Sequence, residues 1–146
     1  MGDLSKNFSR REFACHCGCG RDNVSPALVA ALQQLRDLAE APVAVVSGCR
    51  CPAHNRAVVG ANNSQHLATK NQEGQAADVR IEGLGLTEMY RLALEVPGFY
   101  GGGIGLYPGD GFMHVDVRGH EARWARVRGD YVSIGEALVI ERRFNG

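Results

Sequence analysis

Leu28, Leu32, Leu35 and Leu38 recur at helical spacing, and Ser25-Pro26 stands immediately before them. A serine N-cap followed by a first-turn proline is a strong helix start, so residues 26–40 are expected to form an amphipathic helix with the leucines inward. Pro42 ends it, and Val43-Ala44-Val45-Val46 reads as a short apolar strand stopped by Ser47-Gly48. Upstream, Ser9 and Glu12 have capping-box spacing and predict a helical turn over 9–13. Pro52 opens a second helix to about residue 59, with Gly60 as its stop. A polar loop follows over 61–75. Residues 76–81 are rich in strand formers and end at Gly83-Leu84-Gly85. Thr87 is expected to cap a third helix over 88–95, stopped by Pro97-Gly98.

The run Gly101-Gly102-Gly103-Ile104-Gly105-Leu106-Tyr107 reads as a glycine-rich strand that another group approaches closely. Pro108 to Gly111 is a turn, and residues 112–117 return as the second arm of a hairpin. Ser133 with Glu136 points to a last helix over 134–138 or longer, although Val139-Ile140 suits a strand equally. Helices and short strands mix without regular alternation, which makes α+β the expected class. Residues 1–126 are expected to be one domain, with 127–146 as a C-terminal extension packed on it.

Composition narrows the functional classes. The 146 residues are 45% hydrophobic and 22% charged, with 16 Lys plus Arg against 16 Asp plus Glu. That balance gives no reason to expect a nucleic-acid or membrane partner. The arginines at 118, 123, 126 and 128 read as a solvated surface. Nothing approaches the ~18 apolar residues of a membrane span. The first seven residues hold no apolar run, so the chain is expected to be made in the cytoplasm without a signal peptide.

Three residues carry metal-ligand chemistry. His66 follows Ser64-Gln65, Asp78 closes Gly74-Gln75-Ala76-Ala77-Asp78, and His114 lies in Phe112-Met113-His114-Val115-Asp116-Val117. Two imidazoles and one carboxylate are a common protein complement for catalytic Zn²⁺, with a fourth position left for water or substrate. On strands, residues two apart share a face, so His114 and Asp116 point the same way. Asp78 lies in a small, apolar run, where burying it unpaired would be costly; this favours a metal or arginine partner.

The five cysteines form Cys15-His16-Cys17-Gly18-Cys19 and Cys49-Arg50-Cys51. An odd count and a cytoplasmic start argue against obligatory disulfides. Cys-x-Cys is tighter than the usual ligand gap, so free thiols are expected ahead of a second, structural zinc. His54 reads as structural, and His16 and His120 as exposed. Asn55 and Ser64 are candidates to brace the site by hydrogen bonds. Tyr107 and Trp124 read as packing residues, with Tyr107 a candidate to line a cleft.

Five ordered motifs carry a family resemblance: Ser47-Gly48-Cys49-Arg50-Cys51-Pro52-Ala53-His54-Asn55, Ser64-Gln65-His66, Gly74-Gln75-Ala76-Ala77-Asp78, Gly105-Leu106-Tyr107-Pro108 and His114-Val115-Asp116-Val117-Arg118. Together they resemble the zinc peptidase M15 family, in particular its small single-domain members in phage lysins and bacterial cell-wall proteins. The resemblance implies a small antiparallel sheet flanked by helices, the hedgehog/DD-peptidase fold. It also implies a monomeric Zn²⁺ enzyme that cuts bonds involving D-amino acids in the peptidoglycan stem peptide. His66, Asp78 and His114 would be the ligands, and Arg50 the arginine that meets substrate or oxyanion. Without a leader, such an enzyme would reach the wall after release by another protein, as in phage or prophage lysis.

The chain departs from the family pattern twice. His66 and Asp78 are twelve residues apart where seven is usual, which places about five extra residues within 68–73. A loop insertion is cheap in closure entropy and is expected to alter the cleft rim. Relatives also place an acid three residues before the last ligand, where this chain has Gly111. Asp116 and Asp110 are the alternatives for a general base. Asp116 stands first by strand geometry, with an orienting role equally open. The competing function is a catalytically silent, zinc-containing module of the same fold that binds cell wall or protein.

Overall fold

A computed structural model of the protein describes residues 2–58, 60 and 64–145, with side chains through Arg142. The expected end of the second helix at Val59 and the loop residues 61–63 fall outside the described residues. A 3₁₀ turn at Arg10–Phe13 leads into helix α1 (Pro26–Ala39), strand β1 (Val43–Ser47) and helix α2 (Pro52–Ala57). Strand β2 (Ala76–Ile81), helices α3 (Leu86–Leu94) and α4 (Pro97–Tyr100) and strands β3 (Gly103–Tyr107) and β4 (Phe112–Asp116) follow. The chain ends in β5 (Ala122–Val127), β6 (Asp130–Val132) and helix α5 (Ile134–Asn145). The α+β expectation holds.

The strands form one sheet in the order β1-β2-β4-β3-β5-β6. Every neighbouring pair is antiparallel except β3 and β5, which run parallel. Period-two alternation sorts the sheet into a core face and an open face. Ala77, Val79, Ile104, Leu106, Met113, Val115 and Ala125 join the core with the buried residues of α1 and α3. The intervening positions, among them Asp78, His114, Gly105 and Trp124, turn to the other side. Helices thus cover one face and leave the other for chemistry.

Local expectations hold where side chains set them. Ser25 Oγ accepts from Leu28 N–H at 3.4 Å, and Leu28, Leu32 and Leu35 are fully buried. Leu38 is not part of that stripe: it is 46% exposed. Ten residues on from Leu28, it lies roughly 80° round the helix from it. Ser9 N–H donates to Glu12 Oε2 at 2.6 Å, one arm of the expected capping box.

Other expectations need correction. α3 starts at Leu86 with Gly85 as N-cap, not at Glu88 with Thr87 as N-cap; the buried Glu141 of α5 accepts from Leu86 N–H at 2.9 Å. A carboxylate from a distant helix thereby does the capping that Thr87 was expected to do. Pro97 does not merely stop α3; it occupies the first turn of α4, where its missing N–H costs nothing. The last residues form a helix throughout, so Val139-Ile140 is not a strand. β5 and β6 were not foreseen. β5 carries arginine on both faces (Arg123 and Arg126), which hides its alternation.

Candidate metal centre and its cleft

Strand register gathers the three proposed ligands. Asp78 on β2 is the direct cross-strand partner of His114 on β4. His66 arrives from the preceding loop, which the chain ties down on both sides. Arg50 N–H donates to the His66 carbonyl at 2.8 Å, and Gln75 N–H to the Gln65 carbonyl at 2.8 Å. Ser64 Oγ accepts from His66 N–H at 3.2 Å. All three ligand candidates are buried.

Their donor atoms form a near-equilateral triangle. His66 Nε2 lies 3.2 Å from Asp78 Oδ1 and 3.2 Å from His114 Nδ1, and His114 Nδ1 lies 3.2 Å from Asp78 Oδ1. Ligands about 2.05 Å from a tetrahedral zinc stand about 3.3 Å apart, so the triangle fits such an ion. Each imidazole is also turned to present a lone pair. His66 Nδ1 donates to the Gly48 carbonyl at 2.7 Å, which leaves Nε2 bare. His114 Nε2 donates to Asp116 Oδ2 at 2.7 Å, which leaves Nδ1 bare.

The electrostatics favour a cation here. Burial pushes His66 below its ordinary range, which keeps it neutral. Burial also opposes charge on His114, but its hydrogen bonds to the Asp116 and Asp78 carboxylates outweigh it and push that ring up. Burial acts to raise Asp78 too, yet the two histidines more than offset it and hold the carboxyl well below the usual range. An anion against two imidazole nitrogens is a binding site for positive charge.

Asp116 stands behind His114, away from the triangle. It is fully buried and holds the Gly103 N–H at 2.8 Å and Arg118 through Nε at 3.0 Å and Nη2 at 2.7 Å. Gly103 is required here, since a Cβ would fall 2.2 Å from Asp116 Oδ2. Asp110 is exposed on the β3–β4 turn and does not line the cleft; Arg80 binds its carbonyl at 2.9 Å. Arg50 does line the cleft, with Nη2 3.6 Å from Asp78 Oδ2 and Nη1 3.4 Å from Asn55 Oδ1.

The triangle sits in a cleft of about 530 Å³, within the range of small-ligand sites. Its walls include Tyr107, Phe112, Arg118, Trp124, Arg126 and Tyr131. Five of these six were missed as cleft residues, Phe112 having been read only as the start of a hairpin arm. Arg118 and Arg126 had read as solvated surface, Trp124 as packing, and Tyr131 carried no signal. Trp124 leans on His114 with ring centres 4.8 Å apart, donates from Nε1 to Tyr107 Oη at 3.0 Å, and carries Arg118 5.2 Å over its face. The glycine-rich strand makes this approach feasible: Gly105 lies beneath the indole. The one available clue to Trp124 was that expected close approach.

The insertion at 68–73 does not rim the cleft as expected. Thr69 and Gln72 pair in a tight turn whose two carbonyls both accept from Asn23 Nδ2 at 2.8 Å. Lys70 faces a separate groove beside Cys19 and Cys51.

Comparison with known proteins agrees with this geometry. Over 97 residues the chain is 30% identical to the peptidoglycan L,D-endopeptidase MepK of Escherichia coli strain K12, covering 65% of this chain and 52% of that protein. The MepK proteins of Escherichia coli O157:H7 and Shigella flexneri match to the same extent. The chain thus spans about half the length of these relatives. Residues 6–116, well over half of the chain and including all three triangle residues, match the family described as peptidase M15. The chain belongs to the peptidase M15 family.

Proposed function

We propose that this protein is a zinc-dependent peptidase that cuts the stem peptide of bacterial peptidoglycan, with His66, Asp78 and His114 as metal ligands. The carrying observation is the 3.2 Å triangle of donor atoms with both imidazoles correctly turned. Bound zinc supplies a water acidified toward neutrality and polarises a scissile carbonyl.

The chain's own residues supply the rest. Arg50 offers a permanent, forked positive charge to a developing oxyanion or a terminal carboxylate. Asp116 orients His114 and keeps its Nδ1 lone pair inward; its oxygens are engaged, so we assign it no base role. Asp110, exposed on its turn, takes no part. Three arginines in the cleft (Arg50, Arg118, Arg126) suit a substrate rich in carboxylates, as a stem peptide is. Tyr107 and Trp124 provide a flat apolar wall for the peptide chain. The L,D-endopeptidase relatives favour an endopeptidase that cuts an L,D bond over a carboxypeptidase.

One observation supports a second reading, a metal-holding module that binds wall peptide without cutting it. Asp78 is the only carboxylate among the described cleft-lining residues, and it is a ligand candidate. The two readings separate when zinc-loaded protein and His66→Ala are incubated with purified peptidoglycan and soluble fragments are weighed by mass spectrometry. Zinc-dependent fragments absent from the variant support the peptidase and identify the bond. No fragments from several wall chemotypes, with binding retained, support the module.

A further inference from the structure

A second set of ligand atoms lies outside the cleft. Cys15, Cys17, Cys19 and Cys51, all free thiols, bring their sulfurs within 4.8 Å of one another. Cys15 Sγ lies 3.5 Å from Cys17 Sγ and 3.8 Å from Cys51 Sγ, and the Cys17–Cys51 separation is 3.6 Å. Four thiolates about 2.3 Å from a tetrahedral zinc stand about 3.8 Å apart. The three edges among Cys15, Cys17 and Cys51 are close to that figure, and Cys19 completes the set within 4.8 Å.

Cys-x-Cys is tighter than the usual ligand gap, which made free thiols the expectation here. The structure removes the objection by curling the segment. Gly18 and Gly20 adopt φ +84° and +82°, conformations that favour glycine. Cys15 N–H then donates to the Arg21 carbonyl at 2.7 Å, which closes the loop; the exposed Cys17 and Cys19 lie beside the buried Cys15. The fourth cysteine comes from elsewhere: Cys51 is the N-cap residue of α2.

The surroundings are those of thiolates. Backbone N–H groups of Cys51, His54 and Arg21 donate to Cys15, Cys51 and Cys19 sulfurs, each at 3.4 Å. Such donors disperse sulfur charge and orient ligands. Arg21 and Lys70 flank the adjoining groove with Asp22, leaving one net positive charge there.

We infer that Cys15, Cys17, Cys19 and Cys51 hold a structural zinc ion, distinct from the metal of the cleft. Its binding forms four Zn–S bonds and releases the thiol protons to solvent, leaving a site of net charge −2. It would staple the N-terminal loop to the start of α2. Arg50, one residue before Cys51, is paired with the His66 loop through its N–H to the His66 carbonyl and its carbonyl to the Ala68 N–H, both at 2.8 Å. The staple therefore fixes Arg50 from behind and positions it over the cleft.

The test is made on the full chain purified under reducing conditions. Zinc content should be about two ions per chain in the wild type and about one in both His66→Ala and Cys17→Ser. Cobalt-loaded His66→Ala should keep an intense sulfur-to-cobalt absorption in the near ultraviolet, and Cys17→Ser should lose it. Because this band reports sulfur ligation alone, it decides the inference even if the cleft binds no metal. Should Cys17→Ser fail to fold, alkylation of the wild type decides: four thiols should be shielded by zinc and exposed by a chelator. Zinc-loaded protein with those thiols freely reactive, a mass deficit from disulfides, or visible iron in place of zinc would overturn it.

Discussion

Replacing Gly105 by alanine adds one methyl group beneath the cleft wall. The new Cβ would lie 2.4 Å from Trp124 Cε2 and 2.5 Å from its Nε1. Non-bonded carbons settle at about 3.5–4.0 Å, so the indole must retreat by about 1 Å or more. Its neighbours resist: His114 lies against one side, Arg118 covers it, and its N–H is held by Tyr107 Oη at 3.0 Å. A shift of that size carries the hydrogen bond beyond about 3.5 Å, where it contributes little. Overpacking costs about 1–3 kcal/mol and the lost hydrogen bond about 0.5–1.5 kcal/mol, giving a destabilisation of about 1.5–4.5 kcal/mol. Gly105 lies on an extended strand with no left-handed φ to lose, so the contact itself is what is measured. Trp124 is the chain's only tryptophan, which makes its emission a direct reporter in urea titrations. The expected result is red-shifted emission and a lowered unfolding midpoint. Emission like the wild type's, with stability within about 0.5 kcal/mol, would refute the packing argument.

Asp116→Asn should weaken zinc binding at the cleft about 10- to 100-fold by releasing His114, as measured by competition with a chromogenic chelator; unchanged affinity would count against the orienting role. Arg50→Ala should lower fragment release by about 10²- to 10³-fold while leaving zinc content near normal; equal loss of zinc would make it a structural residue instead. In the metal-free chain, burial alone would raise Asp116, but hydrogen bonds from His114 and Arg118 hold its carboxyl well below the usual range. Stability from this group is therefore present above about pH 4 and lost as pH falls below the ordinary carboxylate value. Chemical denaturation from pH 6 to 3 should show that loss, and the loss should shrink in Asp116→Asn.

The residues most legible in the sequence were those whose role is set locally. Ser25-Pro26 announced α1, and the strand formers of 76–81 and the hairpin return over 112–117 placed Asp78 and His114 on strands that pair as neighbours. What stayed hidden depends on distant partners. Glu141 caps α3 from 55 residues away. Trp124 reaches the site only because β5 runs parallel to β3 and brings it beside Gly105. Arg118 looked like surface because the buried Asp116 that anchors it had no visible place in three dimensions. The insertion's destination was set by Asn23, far upstream.

The central claim is that His66 Nε2, His114 Nδ1 and Asp78 share one metal ion. Anomalous diffraction at the zinc edge from a crystal of the zinc-loaded protein tests it directly. The account predicts a peak bonded to those two nitrogens and to the Asp78 carboxylate, with His66 Nδ1 still on the Gly48 carbonyl and His114 Nε2 still on Asp116. A zinc-loaded crystal with no peak there, or with the ion on the opposite ring nitrogens, would contradict it.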